Sequence, residues 1–150
     1  MLQQLQQVLA MNEEQRQLYM QEHGEQLLTN MVKHIGDPNS TLRDQMNYRL
    51  YIELLSANHW SAERLRTLTM QLIDDEHLFL QIQDREATEA VFTRSFSSLW
   101  LTALLHADAQ LRFLQANELS VIFQDVARYF LREPDVRGYI NDEQGWAHSM

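Results

Sequence analysis

The chain has 150 residues, no cysteine and a formal net charge of −9. This length fits one domain, and the lack of cysteine excludes a disulfide framework, a thiol nucleophile and a zinc–thiolate site. The acidic balance opposes binding to a phosphate backbone. A local basic face of Arg128, Arg132 and Arg137 would have Glu133 and Asp135 in its midst, so we expect no nucleic-acid partner.

The N-terminal part of the chain predicts amphipathic helices. Residues 2–10 carry apolar side chains on one side, and the start lacks the basic residues and apolar core of a signal peptide. Asn12 is a good N-cap for a second, short helix, whose continuation Gly24 weakens. The apolar repeat resumes at Leu27, and Gly36 is expected to stop that helix.

Residues 40–57 predict the next helix, and residues 58–60 form a short connection. Ser61 is expected to cap the following helix, so the two should lie antiparallel as a helical hairpin. Residues 74–77 precede a small apolar cluster, residues 78–82, which predicts a short helix or turn.

Thr88 is predicted to cap a long helix whose second half, around residues 99–105, is apolar nearly all round. We expect this to be the central buried helix. Its apolar run is too short to span a bilayer, so the chain is expected to be cytoplasmic, with no membrane partner. After Asp108 a loose turn leads to a last apolar stripe, expected to face the core: Leu119, Ile122, Phe123, Val126, Ala127 and Phe130.

No stretch shows the alternating pattern of a β-strand, so the predicted fold class is all-α. Antiparallel helical hairpins joined by short loops are typical of a HEAT- or armadillo-like solenoid. The internal sequence repeat is weak, which leaves an irregular helical bundle as the alternative. Residues 1–150 are expected to form a single helical domain.

Residues 134–148 break the helical pattern. The proline that opens this segment stops the preceding helix, and two glycines let the chain turn. We expect Asp135 and Arg137 to make internal polar contacts that fix the turn. Trp146 falls where another helix would begin, four residues before the chain ends, so we expect the domain to be truncated at its C-terminus.

Four stretches carry a resemblance to a known family. They are residues 35–44 (Ile-Gly-Asp through Leu-Arg-Asp), 91–97 (Val-Phe-Thr-Arg-Ser-Phe-Ser), 135–139 (Asp-Val-Arg-Gly-Tyr) and 145–148 (Gly-Trp-Ala-His). In this order and spacing they resemble an uncharacterised family of bacterial proteins, named only as a domain of unknown function and built from HEAT-like helices. The resemblance implies a helical, soluble bacterial protein and carries no activity. In that family a second Ala-His pair and a further helix follow the last motif. A site that needs both histidines would be incomplete here.

The strongest candidate site combines Arg137 with Asp135, Trp146 and His148. An arginine offers a planar fork for a carboxylate or phosphate, and a histidine adds a titratable donor, so the four could form an anion pocket. The alternative is a structural corner, in which Asp135 and Arg137 pair with groups at helix ends and Trp146 fills the core. Arg94 and Asp44 would be natural internal partners.

Arg43, Asp44 and Arg94 each lie near the start of a long predicted helix. They could line one groove of a solenoid together with Arg137. Alternatively, Asp44 accepts from nearby backbone donors, and Arg94 bridges adjacent helices.

Other catalytic patterns are weak. Asp74 and His77 lie one helical turn apart, but the chain has no Glu-x-x-His motif and its histidines are scattered. Ser95 lacks a Gly-x-Ser-x-Gly elbow, and no glycine-rich phosphate loop is present. We therefore predict no metal site, no cofactor and no catalytic residue.

Two functions are compatible with these patterns. The preferred one is a noncatalytic helical-repeat scaffold whose groove binds a protein or peptide partner. The alternative is a small-molecule-binding or hydrolytic protein with a pocket around Arg137 and His148. An enzyme is the less favoured of the two, and the pattern does not predict an oligomeric state.

Overall fold

The structure, a computed structural model, describes residues 1–148 and is mostly helical. Its six α-helices in this range are α1 (Leu2–Ala10), α2 (Glu13–Lys33), α3 (Arg49–Ser56), α4 (Ala62–Leu72), α5 (Ala90–Leu111) and α6 (Ala116–Arg132). A π-helical segment, Thr41–Tyr48, runs directly into α3. An antiparallel hairpin of β1 (Tyr139–Asn141) and β2 (Gly145–Trp146) follows α6. The predicted all-α class is confirmed as a mostly helical fold. Residues 149 and 150 of the predicted domain lie outside the described residues.

None of the helices within residues 1–148 combines the length and the apolar character needed to cross a bilayer.

Helix α2 is a single helix of 21 residues. Asn12 caps it as predicted, through a reciprocal pair of bonds with Gln15. The expected break at Gly24 is wrong, because the residue is buried inside the helix with Met20 packed beside it. Packing along a 21-residue helix outweighs the intrinsic cost of about 1 kcal/mol that one glycine imposes.

Gly36 does not stop α2, so that prediction is also wrong. The helix already ends at Lys33. A Cβ at Gly36 would lie 2.5 Å from Thr93 Cα, a distance that no side chain tolerates. The glycine instead lets the turn after α2 pack directly against the backbone of α5.

The predicted helix over residues 40–57 is present, although its first half is π-helical. From that half, Asn47 Nδ2 donates to Met31 O at 2.9 Å and satisfies a carbonyl group near the end of α2. Asn58 turns the chain at a φ of 59°, and Ser61 Oγ accepts from Arg64 N at 3.1 Å. The short connection and the cap at Ser61 are therefore confirmed.

Helix α5 supplies more buried side chains than any other element of the described chain. Trp100 is fully buried and stacks on Tyr51, with ring centroids 3.8 Å apart. Tyr51 OH also donates to Trp100 O at 2.9 Å. The buried role of α5 is confirmed, but Leu99 and Leu105 remain partly exposed. Its second half is therefore not covered all round.

Helix α6 presents a different face to the core from the one predicted. Ile122 is buried as predicted, and so is Tyr129, which is not part of the predicted stripe. Phe123 is 58% exposed and Phe130 is 69% exposed. Glu118 lies on the buried side, where Arg66 Nε donates to its carboxylate at 2.5 Å. The expectation that both phenylalanines face the core is wrong.

The C-terminal segment departs most from the prediction. The helix before it ends at Arg132, as the proline at position 134 requires. Trp146 lies in β2 and pairs with Tyr139, so the expectations of no strand and of a new helix at Trp146 are wrong. Gly145 adopts a φ of 71°, and Ala147 packs beside α5 in a small apolar cluster. Strands of three and two residues are too short to show an alternating pattern.

Candidate functional site

A cleft of about 450 Å³ opens between the π segment, α5, the end of α6 and the C-terminal hairpin. We call it the aromatic cleft. Five of its lining side chains are aromatic: Tyr48, Phe96, Tyr129, Phe130 and Trp146. The others are Asp44, Ser95, Ser98, Leu99, Thr102, Ala147 and His148.

A second depression of about 570 Å³ continues from this cleft. We call it the helix groove. The two share Tyr48, Leu99 and Thr102, and the helix groove then follows α3 and α5. Its further lining is Ile52, Leu55, Ser56, Asn58, Ala103, His106, Ala107, Gln110 and Leu111. Together they form one continuous and largely apolar channel along α5.

Arg43 lies beneath this surface and is 1% exposed. Its Nη1 donates to Asp37 O at 2.9 Å, and its Nη2 donates to Gln144 O at 2.6 Å. The guanidinium group also lies 4.2 Å from the ring centroid of Phe92. Burial lowers the pKa of Arg43, with the nearby aspartates acting in the opposite direction. Arg43 therefore ties the C-terminal hairpin to the turn after α2, and it does not line the aromatic cleft.

Arg94 bridges adjacent elements, as the sequence suggested. Its Nε lies 3.0 Å from both carboxylate oxygens of Glu133, and its Nη1 donates to Leu80 O at 2.8 Å. The Arg94 side chain is 3% exposed and that of Glu133 is 9% exposed, so this ion pair is buried. Tyr129 OH donates to Glu133 at 3.0 Å. Burial, followed by the charge of Glu133, raises the pKa of Tyr129 well above its ordinary value.

Asp135 and Arg137 pair with each other. Arg137 Nη2 donates to Asp135 Oδ2 at 2.7 Å and to Thr88 O at 3.2 Å, and Arg137 N donates to Asp135 Oδ1. Burial raises the pKa of Asp135, but the bonds from Arg137 outweigh it and leave the pKa below its ordinary value. The predicted internal contacts of these two residues are confirmed. The prediction that Arg94 and Asp44 are their partners is wrong.

His148 and Trp146 line the aromatic cleft. His148 Nε2 lies 2.7 Å from Asp135 O, and because a carbonyl oxygen only accepts, Nε2 carries the proton. The same nitrogen is 3.8 Å from Glu133 Oε1. Trp146 is 50% exposed and lies edge-on to Tyr139, with centroids 5.7 Å apart. It forms a wall of the cleft and does not fill the core.

Asp44 also lines the aromatic cleft, one turn of the π segment before Tyr48. Its carboxylate is exposed. Within residues 1–148 no arginine, lysine or histidine nitrogen lies within 4.0 Å of it. The backbone donors predicted for this carboxylate do not bond to it in this part of the chain.

The predicted site residues thus divide into two groups. Asp44, Trp146 and His148 meet at the aromatic cleft. Arg43 and Arg94 are buried behind it, and Arg137 is paired with Asp135. The sequence did not single out four further residues at or behind the cleft as site residues: Tyr48, Tyr129, Phe130 and Glu133. The one available signal was the spacing of Tyr129 and Glu133, which puts them on the same face at the end of α6.

No group of three or more histidine, aspartate or glutamate side chains in residues 1–148 is placed to hold a metal ion. The Asp74–His77 contact of 2.7 Å is a local pair at a turn. Arg128 pairs with Asp125, and Arg137 with Asp135, so acidic neighbours offset two of the three arginines considered for a basic face.

The model of a family described as "Protein of unknown function (DUF2785)" matches residues 78–150. Of that range, the structure describes α5, α6 and the hairpin, with Arg94, Glu133, Asp135 and His148. Arg43 and Asp44 precede it. Neither a curated protein nor a solved structure matches the chain.

Proposed function

We propose that this chain, whose residues 78–150 match the DUF2785 family of proteins of unknown function, is a noncatalytic scaffold that binds a helical segment of a protein partner. The observation that carries the proposal is the continuous channel formed by the aromatic cleft and the helix groove. Apolar grooves between helices are a recurring kind of binding site for ligands and for amphipathic helices.

The shape of the channel favours a helix as the occupant. Its lining on α5 extends from Ser95 to Leu111, which is about 24 Å at 1.5 Å per residue. A partner helix of about 16 residues has that length. Peptides of this kind bind grooves through apolar side chains at positions i, i+3 or i+4, and i+7.

The polar groups near the channel support a binding role over a catalytic one. The carboxylates of Glu133 and Asp135 are engaged by Arg94 and Arg137. A carboxylate held by a cation is a poor general base, because the pairing stabilises its charged form. A HEAT- or armadillo-like stack of helical hairpins, which we propose as the finer arrangement, presents such a channel as its binding face.

The test is selection from a displayed library of random peptides of about 16 residues, the length of helix that the channel accommodates. We expect enriched peptides to be amphipathic and to bind in helical form. Ala103→Trp, which fills the helix groove, should weaken their binding at least about tenfold. Leu18→Trp is the matched control, since Leu18 is 62% exposed on α2, away from the channel lining. A library without enriched peptides, or peptides that bind Ala103→Trp normally, would contradict the proposal.

A second candidate function is a small-molecule-binding or hydrolytic protein with a pocket around Arg137 and His148. The observation that favours it is the bond from His148 Nε2–H to Asp135 O, because it leaves Nδ1 of a cleft-lining imidazole unprotonated when the ring is neutral. A thermal-shift screen with metabolites tests this candidate. If this candidate is correct, at least one compound should raise the melting temperature of the wild type and should not raise that of His148→Gln.

A further inference from the structure

The aromatic cleft differs in chemistry from the rest of the channel. Its walls carry five aromatic rings, whereas the helix groove shares only Tyr48 with that set. Tyr48 and Phe96 stand almost perpendicular, with an interplanar angle of 89° and centroids 6.2 Å apart. Tyr129 and Phe130 are tilted by 53° at 5.6 Å. Phe96 and Tyr129 are themselves buried, so the rings that an occupant of the cleft can reach are mainly those of Tyr48, Phe130 and Trp146. Aromatic rings offer such an occupant their π faces and edges.

Asp44 places a negative charge in this aromatic surrounding. Asp44 and Tyr48 line the cleft together. Burial, and then the charge of Asp44, raises the pKa of Tyr48. As described above, Asp44 has no cationic partner within 4.0 Å in the described chain. The two arginines nearest to Asp44 in sequence contact other groups. Arg43 stacks on Phe92 and Phe96 beneath the cleft, and Arg49 pairs with Glu53.

Aromatic faces and a carboxylate share one preferred ligand, which is an organic cation. A cation over an aromatic face is attracted by the ring quadrupole, and a nearby carboxylate adds Coulomb attraction. A purely apolar side chain would bury Asp44 without a counter-charge, and an anion would be repelled by it. His148 lines the same cleft, with its Nε2 held by Asp135 O.

We infer that the aromatic cleft is the subsite of the channel that receives a lysine or arginine side chain of the bound peptide, with Asp44 as its counter-ion and Tyr48, Phe130 and Trp146 as its aromatic walls. This inference rests on the proposed function only in naming a peptide as the source of the cation. The partner helix would then carry apolar residues along the helix groove and one basic residue at the end that reaches the aromatic cleft. The net charge of −9 favours encounter with such a basic partner.

Small side-chain analogues test the inference without a peptide. The probes are n-butylammonium and n-butylguanidinium, with n-pentanol as the neutral comparison of similar length. The readout is the indole N–H resonance of Trp146 in protein labelled at tryptophan, since Trp60 and Trp100 are buried and only Trp146 lines the cleft. We expect saturable shifts from both cations, with dissociation constants on the order of millimolar, and no saturable shift from n-pentanol.

Asp44→Asn should weaken the binding of both cations at least about fivefold. Asp84→Asn is the matched control, because Asp84 is an exposed carboxylate in a turn and does not line the channel. Equal binding of n-pentanol, or unchanged binding by Asp44→Asn, would overturn the inference. Binding of tetramethylammonium much tighter than that of n-butylammonium would also overturn it, because it would assign the cleft to a free quaternary cation.

The outcomes separate the two proposals. If selected peptides bind the helix groove and bind Asp44→Asn equally well, the proposed peptide-binding function is supported and the cation subsite is contradicted. If no peptide is selected but the cations bind through Asp44, the aromatic cleft recognises a cation and the proposed peptide-binding function is contradicted.

Discussion

Arg43 connects parts of the chain that are far apart in sequence. Its guanidinium group donates to carbonyl oxygens at Asp37 and Pro38 and, more than 100 positions later, at Gln144 and Trp146. The planar fork of arginine suits several acceptors at once, which a lysine could not match. The residue is therefore structural, although its charge made it a candidate for ligand binding.

Replacement of this cation tests that role. Arg43→Met keeps an unbranched apolar stem, although a shorter one, and removes every donor, leaving buried carbonyl groups without partners. We expect a loss of at least about 2 kcal/mol in the free energy of unfolding, measured by urea denaturation. Arg49→Met, at a pair whose arginine is 65% exposed, should change it by no more than about 0.5 kcal/mol. Similar small losses in both variants would show that Arg43 does not hold the hairpin.

Replacing each of the two glycines of the N-terminal half by alanine should change the stability of the fold in opposite directions. At Gly36 the added methyl group would collide with the backbone of Thr93, so Gly36→Ala should destabilise by about 2 kcal/mol or more. At Gly24 the nearest atom is the flexible end of Met20, 3.3 Å away. There the gain in helix propensity should leave Gly24→Ala neutral or more stable by up to about 1 kcal/mol. Thermal unfolding of the two variants would contradict this account if both shifted in the same direction.

At the scale of elements, α5 and α6 show two different uses of apolar side chains. Helix α5 buries its aromatic rings, and Trp100 stacks on Tyr51. Helix α6 buries Ile122 and Tyr129 but exposes Phe123 and Phe130. The second of these phenylalanines lines the aromatic cleft. The apolar residues of α6 therefore serve both the core and a surface.

Because of this contrast, replacing phenylalanine by alanine should lower the free energy of unfolding by different amounts on the two helices. Phe96 is 7% exposed, so Phe96→Ala should cost about 3–5 kcal/mol in denaturant unfolding. Phe123 is 58% exposed, so Phe123→Ala should cost less than about 1 kcal/mol. A loss below about 1 kcal/mol for Phe96→Ala would mean that α5 is peripheral.

At the scale of the whole molecule, ion pairs link elements across the fold. Arg16 reaches Glu53 at 2.7 Å, Arg66 reaches Glu118 at 2.5 Å, and Arg94 joins α5 to Glu133 at the end of α6. An acidic chain with 12 lysines and arginines thus uses most of these in internal contacts. Its stability should consequently depend on the charge of the carboxylates.

Acid should destabilise the fold. Desolvation opposes the charged form of Glu53 and Asp135, but bonds from arginines lower their pKa values below the ordinary 4.5 and 3.8. A carboxyl group with a lowered pKa stabilises the fold above its ordinary pKa, and this contribution is lost as the pH falls through the lowered value. We expect the free energy of unfolding to begin to fall near about pH 5 and to go on falling as the pH drops below 3.8.

Asp135→Asn dissects that dependence. The difference in stability between the wild type and this variant should be largest near neutral pH and shrink in acid. Glu86→Gln, at an exposed carboxylate that makes no side-chain hydrogen bond or ion pair within residues 1–148, should show no such change. A constant difference between the wild type and Asp135→Asn across the pH range would contradict the assigned role of Asp135.

The sequence by itself determined the helices and several of their ends. Asn12 and Ser61 cap α2 and α4, and the proline at position 134 follows the end of α6. These signals act within about one turn of helix, because a cap bonds to backbone donors two or three residues away. They need no knowledge of the rest of the fold.

Only the tertiary structure decided which faces meet and which charges pair. Glu133 pairs with Arg94, 39 positions away, and the exposed position of Phe130 depends on how α6 leans against its neighbours. Such choices compare the burial and pairing of groups that are remote in sequence, and several pairings satisfy the same local pattern. The candidate site therefore emerged where Asp44 of the π segment, Phe130 of α6 and Trp146 of the hairpin meet, since no local signal relates these three residues.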